Sequence, residues 1–169
     1  SALKKYSAQP LRDLGMSLPP KPVAVFLGVF IMTFCFLVFF QALSSWISYA
    51  LLLGGFPPEV QNVTDMLTRS ESGFEKFLMV LFALVAAPLY EELMFRSLLY
   101  PSLRAILPMP AAVLANGALF GLFHPGTANI QCAIAVVGIT LAWLYERSRN
   151  YWVCVLFHAL FNLAGVIAL

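Results

Sequence analysis

Charge is what this chain has least of. Lys and Arg together number ten and Asp and Glu eight, 11% of 169 residues, against about 25% in an average soluble domain. Apolar residues make up 61%. A soluble fold of this length has no interior large enough to hide them, so the pattern excludes a water-soluble globule and implies a lipid solvent. The net charge of +2 offers no basic surface for nucleic acid. Cysteine is equally sparse. Cys35, Cys132 and Cys154 lie singly in apolar runs, with no CxxC. They read as buried reduced thiols rather than a disulfide framework or zinc knuckle. There are two histidines and no HExxH. With a glutamate they would make at most a split zinc site, so no metal or cofactor is expected. No serine or cysteine has an evident base partner, and no internal repeat is visible.

What is present is a series of long apolar runs. Residues 1–22 form a polar N-terminal arm carrying Lys4, Lys5, Arg12, Lys21 and four prolines; residues 23–169 read as a single transmembrane domain. The run Val23–Leu53 would extend about 46 Å as a helix, more than the roughly 30 Å of a bilayer core. It is far too long for a signal-peptide core and is expected to stay in the protein as one tilted helix. Residues 54–76 form a polar connection with Gly54-Gly55 and Pro57-Pro58. Four further spans follow: Phe77–Tyr100, Ala111–His124, Ile130–Tyr145 and Tyr151–Leu169. Pro101, Pro108 and Pro110 lie between the second and third spans, so residues 101–110 suit a re-entrant or interfacial segment. Trp143, Tyr145, Tyr151 and Trp152 bracket the turn Glu146–Asn150 like an aromatic belt. The predicted fold is therefore all-α, a polytopic membrane bundle of about five helices. Five crossings put the arm, Arg104 and the Arg147/Arg149 turn on one side. By the positive-inside rule that side is cytoplasmic, in a bacterial inner membrane or, alternatively, an organellar one.

Against this background the polar residues between 91 and 162 stand out: Glu91-Glu92-x-x-x-Arg96, Phe120-x-x-x-His124 and His158-x-x-x-Asn162. Ionisable groups at bilayer depth are costly and mark function by default. Glu92 and Arg96 are i,i+4 neighbours with the acid first, the better order for an ion pair. They are expected to neutralise one another and to support the site. Glu91 points about 100° away and has no such partner, so it is the candidate for chemistry. His158 and Asn162 share one face and could offer donors to an oxyanion. Phe120 and His124 share another, to which Asn116 adds a polar group that either joins the site or bridges helices. A glutamate and a histidine flanking a water can activate it for attack on a carbonyl, which makes water-mediated peptide hydrolysis the economical chemistry. Depth is the obstacle. Counting along straight spans puts Glu91 about 21 Å from one face and His158 about 11 Å from the other, a shared level. His124 comes out some 10 Å away from them. It joins only if its helix is tilted or starts deep.

The three motifs in this order on successive apolar helices resemble the CPBP family, which includes type II CAAX prenyl endopeptidases and bacterial Abi-related proteins. Ala87-Pro88-Leu89-Tyr90 and Leu156–Asn162 are similar as well. The resemblance implies an intramembrane glutamate-dependent endopeptidase. In it Glu91 and His124 activate water, His158 and Asn162 form the oxyanion hole, Glu92 and Arg96 support the site, and Phe120 shapes it. The partners implied are membrane lipid and a membrane-anchored peptide or protein substrate, lipidated or not. The prenyl-processing members have more membrane helices than this chain supplies, which leaves the substrate open. Two alternatives stand beside this reading. One is a catalytically silent accessory subunit of a larger membrane complex; the other is a proton-coupled carrier using Glu91, which the lack of repeated segments disfavours.

Overall fold

A computed structural model describes residues 15–19, 21–54, 69–126 and 128–168. Most of the polar arm and of the 54–76 connection therefore lies outside the described residues. Within them, all regular structure is helical, arranged as five principal helices. Helix α1 is Pro22–Leu53, α2 runs over Gly73–Arg104, α3 is Met109–Leu122, α4 is Ala128–Ser148 and α5 is Tyr151–Ile167. Three stretches are long and apolar enough to cross a membrane: Pro22–Phe40, Gly73–Arg104 and Ile130–Ser148. Helices α3 and α5 are shorter apolar helices.

Local chemistry explains the boundaries. Pro22 opens α1, where its missing N–H costs nothing. Helix α2 starts at Gly73, ahead of the expected Phe77, because Ser72 caps it by accepting from the Glu75 N–H at 3.3 Å. Asn150 caps α5 by accepting from the Val153 N–H at 3.2 Å. Helix α2 is not uniform. Two π-helical segments, Phe82–Ala86 and Leu93–Leu99, flank the α-helical stretch Ala87–Glu92. Each is followed after one further residue by a proline, Pro88 or Pro101. A proline ring cannot donate and crowds the carbonyl one turn back, and a helix relieves that by widening. The stretch 101–110 thus divides between the last turn of α2 and a turn at 105–108 leading into α3.

The tightest pairing is the α3–α4 hairpin. A Cβ on Gly117 would meet Ile139, at 2.5 Å from its backbone N, and one on Gly121 would collide with the Gln131 carbonyl and lie 2.8 Å from the Ala135 Cβ. Opposite them, a Cβ on Gly138 would lie 3.0 Å from the Gly117 Cα. This is the small-residue contact by which helices approach closely in lipid. Helix α1 packs on α5 through Phe36 and Phe40 against Phe157 and Phe161, with ring centroids 5.3–6.0 Å apart. Much of the rest of α1 is apolar and exposed, as lipid-facing surface is.

Two expectations need correction. Tyr145 and Tyr151 do not form a belt but are buried; Tyr151 Oη donates to the Leu89 carbonyl of α2 at 2.7 Å. Burial of a phenol is tolerable where its hydroxyl has such a partner. The three cysteines are free as expected, yet only Cys154 is buried. Cys35 and Cys132 lie on outward faces, which in lipid cost a thiol nothing.

Candidate active site

The π-widened helix α2 carries both glutamates, and their surroundings differ sharply. Glu92 is fully buried and holds Arg96 Nε at 3.1 Å through Oε2. Its other oxygen accepts from His158 Nδ1 at 2.8 Å. Arg96, also fully buried, donates from Nη2 to the Gly138 carbonyl of α4 at 3.1 Å. Its Cζ lies 4.4 Å from the Phe120 ring centroid, so a cation–π contact covers one guanidinium face. The expected ion pair is therefore part of a larger unit that ties α2, α4 and α5 together.

Glu91 points elsewhere. Its side chain is 23% exposed, against 0% for Glu92. Its Oε2 lies 3.5 Å from His124 Nε2 and 3.8 Å from His158 Nε2. Hydrogen-bond logic fixes which nitrogen does what. His124 Nδ1 sits 2.7 Å from the Phe120 carbonyl, and a carbonyl only accepts, so the hydrogen is on Nδ1. His158 Nδ1 likewise donates, to the Glu92 carboxylate. Both imidazoles thus turn Nε2 towards the same oxygen of Glu91.

His124 reaches the site because α3 is short. Its fourteen residues span only about 21 Å, and the chain leaves the helix before His124 instead of carrying it a full membrane width. The residue therefore lies in the turn beyond α3, where the spacing had placed it on the helix. That irregular backbone is satisfied locally. His124 N–H donates to the Gly121 carbonyl at 3.1 Å, and Gln131 Nε2 donates to the His124 carbonyl at 3.2 Å. Phe120 supports both rings, with centroids 4.6 Å from His124 and 5.8 Å from His158.

Asn162 and Asn116 have different partners. Asn162 Nδ2 donates to the Ala83 carbonyl at 2.8 Å, and Asn116 Nδ2 to the Phe95 carbonyl at 3.0 Å. Both acceptors belong to the π segments of α2. Of the two roles open to Asn116, bridging helices is the one with a contact. Three contributors escaped the motif reading: Gln131, Tyr151 and the Gly138 carbonyl. Gln131 is a polar residue early in a largely apolar helix, a signal that was available. A main-chain acceptor leaves no trace in sequence. Among the described residues no group of three or more His, Cys, Asp or Glu side chains is arranged to hold a metal ion.

Residues 73–164, the segment that contains every motif, match the family described as type II CAAX prenyl endopeptidase Rce1-like. Among curated proteins the chain is similar to "Putative membrane peptidase YdiL" of Bacillus subtilis (strain 168), 25% identical over 131 residues. That alignment covers 77% of this chain and 51% of the relative. It is also similar to "UPF0177 protein YxdF" of Lactococcus lactis subsp. lactis (strain IL1403), 30% identical over 81 residues, 48% of this chain and 44% of the relative. The chain thus spans about half the length of these curated relatives. No solved structure matches. With its family segment covering more than half of its residues and its apolar helices matching a membrane location, this membrane protein belongs to the type II CAAX prenyl endopeptidase Rce1-like family.

Proposed function

We propose that the chain is a glutamate-dependent intramembrane peptidase that hydrolyses a peptide bond in a membrane-anchored substrate. One observation carries this reading: a partly exposed Glu91 side chain whose buried Oε2 is faced by two imidazole Nε2 atoms, beside a second carboxylate sealed in an ion pair. A water entering between Glu91 Oε2 and His124 Nε2 loses a proton to the carboxylate as its oxygen attacks the scissile carbonyl carbon. Neutral His124, its Nδ1–H held by the Phe120 carbonyl, offers Nε2 as the second acceptor that orients the water. The tetrahedral oxyanion is met by His158. With Nδ1–H committed to Glu92, His158 has its other ring nitrogen, Nε2, turned to the site, and a hydrogen carried there is donated to the oxyanion. Glu91 then returns the proton to the departing amine as the C–N bond breaks, so protons and charge balance. Membrane lipid is the solvent, and no metal or other cofactor enters the steps.

General-base catalysis contributes roughly 10²–10⁴-fold, so Glu91→Gln is expected to lower cleavage by about that factor while the protein still inserts. The measurement compares new peptide termini in membrane proteins of cells expressing the wild type or the variant, by mass spectrometry. Termini found with the wild type alone support the reading. Equal yields from both would remove Glu91 from the chemistry and leave the accessory-subunit role.

A further inference from the structure

The two π segments raise a question of hydrogen-bond accounting inside lipid, where every backbone group needs a protein partner. In the first segment the Ala87 N–H reaches back five residues to the Phe82 carbonyl. Ala83 then has no donor in its own helix. Its α-helical partner, Ala87, is committed to Phe82, and its π-helical partner is Pro88, which has no N–H. Asn162 of α5 supplies the missing donor at 2.8 Å. In the second segment the Tyr100 N–H reaches back five residues to Phe95. Asn116 of α3, fully buried, donates to the same carbonyl at 3.0 Å.

Each widening thus has one carbonyl held by an asparagine from a different neighbouring helix. Glu91 and Glu92 lie in the stretch between them. That stretch has an exacting task. Consecutive residues must address opposite edges of one ring, Glu92 at His158 Nδ1 and Glu91 facing His158 Nε2. A widened turn changes the rotational phase of everything beyond it, so fixing both widenings fixes where the two carboxylates point.

We propose that Asn116 and Asn162 are paired positioning residues, each holding the released or shared carbonyl of one π segment and together aiming Glu91 between the two imidazoles. The proposal rests on Glu91 being the reacting carboxylate. It gives Asn162 a structural donor role towards the Ala83 carbonyl, which uses one of its two amide hydrogens, and it brings Asn116 into the machinery.

The chain has only two histidines, which makes each imidazole a resolvable reporter. The chain labelled with ¹⁵N-histidine in detergent micelles gives long-range ¹H–¹⁵N spectra of both rings without any substrate. Asn116→Leu and Asn162→Leu are expected to move Nε2 resonances, as Glu91→Gln does, and to lower the yield of wild-type termini by up to ~100-fold. Leu141→Ala, a truncation in the buried core of α4, is expected to lower the melting temperature and leave those resonances in place. Unmoved Nε2 signals in folded Asn variants would overturn the proposal.

Pro88→Ala covers the case in which Asn162→Leu fails to accumulate. It restores an N–H five residues after Ala83, so in that background Asn162→Leu is expected to accumulate and to regain the signals of its Pro88→Ala parent. A residue acting on the oxyanion alone could not be replaced in this way, and absence of any recovery would overturn the positioning assignment of Asn162. The peptidase reading fails separately. Moved imidazole signals in the Asn variants, together with termini unaffected by Glu91→Gln, would retain the positioning role and discard the chemistry.

Discussion

At the scale of single residues, the two adjacent glutamates have opposite fates, and helical geometry is enough to see why. An i,i+4 acid–base pair closes on itself, and the residue beside it is turned about 100° away. The Glu92–Arg96 pair was legible from that spacing alone. His158 as a third member was not, because it arrives from a helix more than sixty residues later. The division has an energetic consequence. Removing one partner of a buried pair strands the other charge at a cost of about 3–5 kcal/mol. Arg96→Met is therefore expected to lower stability by about that amount, measured by thermal unfolding in detergent. Glu91→Gln removes a partly exposed carboxylate with no direct hydrogen bond at Oε2 and is expected to change stability by less than about 1 kcal/mol. Equal losses in both variants would contradict the separation of scaffold from chemistry. Lysine should not rescue Arg96, since a point charge cannot serve Glu92, the Gly138 carbonyl and the Phe120 face together.

At the scale of elements, the apolar runs fix where helices form but not how closely they pack. The α3–α4 hairpin depends on Gly117, Gly121 and Gly138, whose contacts are largely with backbone. Nothing in hydropathy distinguishes these from Gly28 or Gly165, which have no heavy atom within 4 Å of an added Cβ. Gly117→Ala and Gly121→Ala are expected to destabilise by about 1–3 kcal/mol through overpacking. Gly28→Ala and Gly165→Ala should be neutral or gain up to about 1 kcal/mol of helix propensity. Melting temperatures in one detergent separate the two sets, and a uniform response would rule out close packing as the cause. The same hairpin carries the Gly138 carbonyl to Arg96 and the Gln131 amide to the His124 carbonyl, so loosening it should also disturb the site. The interruptions of α2 were visible as prolines, yet prolines signal a break without saying whether the helix kinks, ends or widens. The widened turns are met by Asn116 and Asn162, from elsewhere in the chain, each holding one of their carbonyls.

At the scale of the whole molecule, the basic segments gather at one end of the bundle. Gly15, Met16 and Ser17 are bound across the start of α5. The Gly15 carbonyl accepts from the Tyr151 N–H at 2.9 Å, Met16 O from Trp152 Nε1 at 2.8 Å and Ser17 O from Asn150 Nδ2 at 2.7 Å. Beside this strap, Glu146 pairs with Arg149 at 2.8 Å and Arg104 at 3.6 Å, and accepts from Tyr100 Oη at 2.9 Å. The strap leading to Lys21, the end of α2 and the α4–α5 turn are thus held together by direct bonds. The loop count had grouped the same three regions, because crossing number and charge both follow from the order of apolar runs. Ser70, before the Ser72 cap, lies at the other end of α2. By the positive-inside rule, Lys21 and Arg147 are expected in the cytoplasm and Ser70 across the membrane. Single cysteines at these positions in a background lacking Cys35, Cys132 and Cys154 test the arrangement. A membrane-impermeant maleimide applied to intact cells is expected to label position 70 and to reach 21 and 147 only after the membrane is opened. Labelling of 21 and 147 in intact cells would invert the orientation while keeping the grouping, whereas labelling that separates 21 from 147 would break the bundle's shared end.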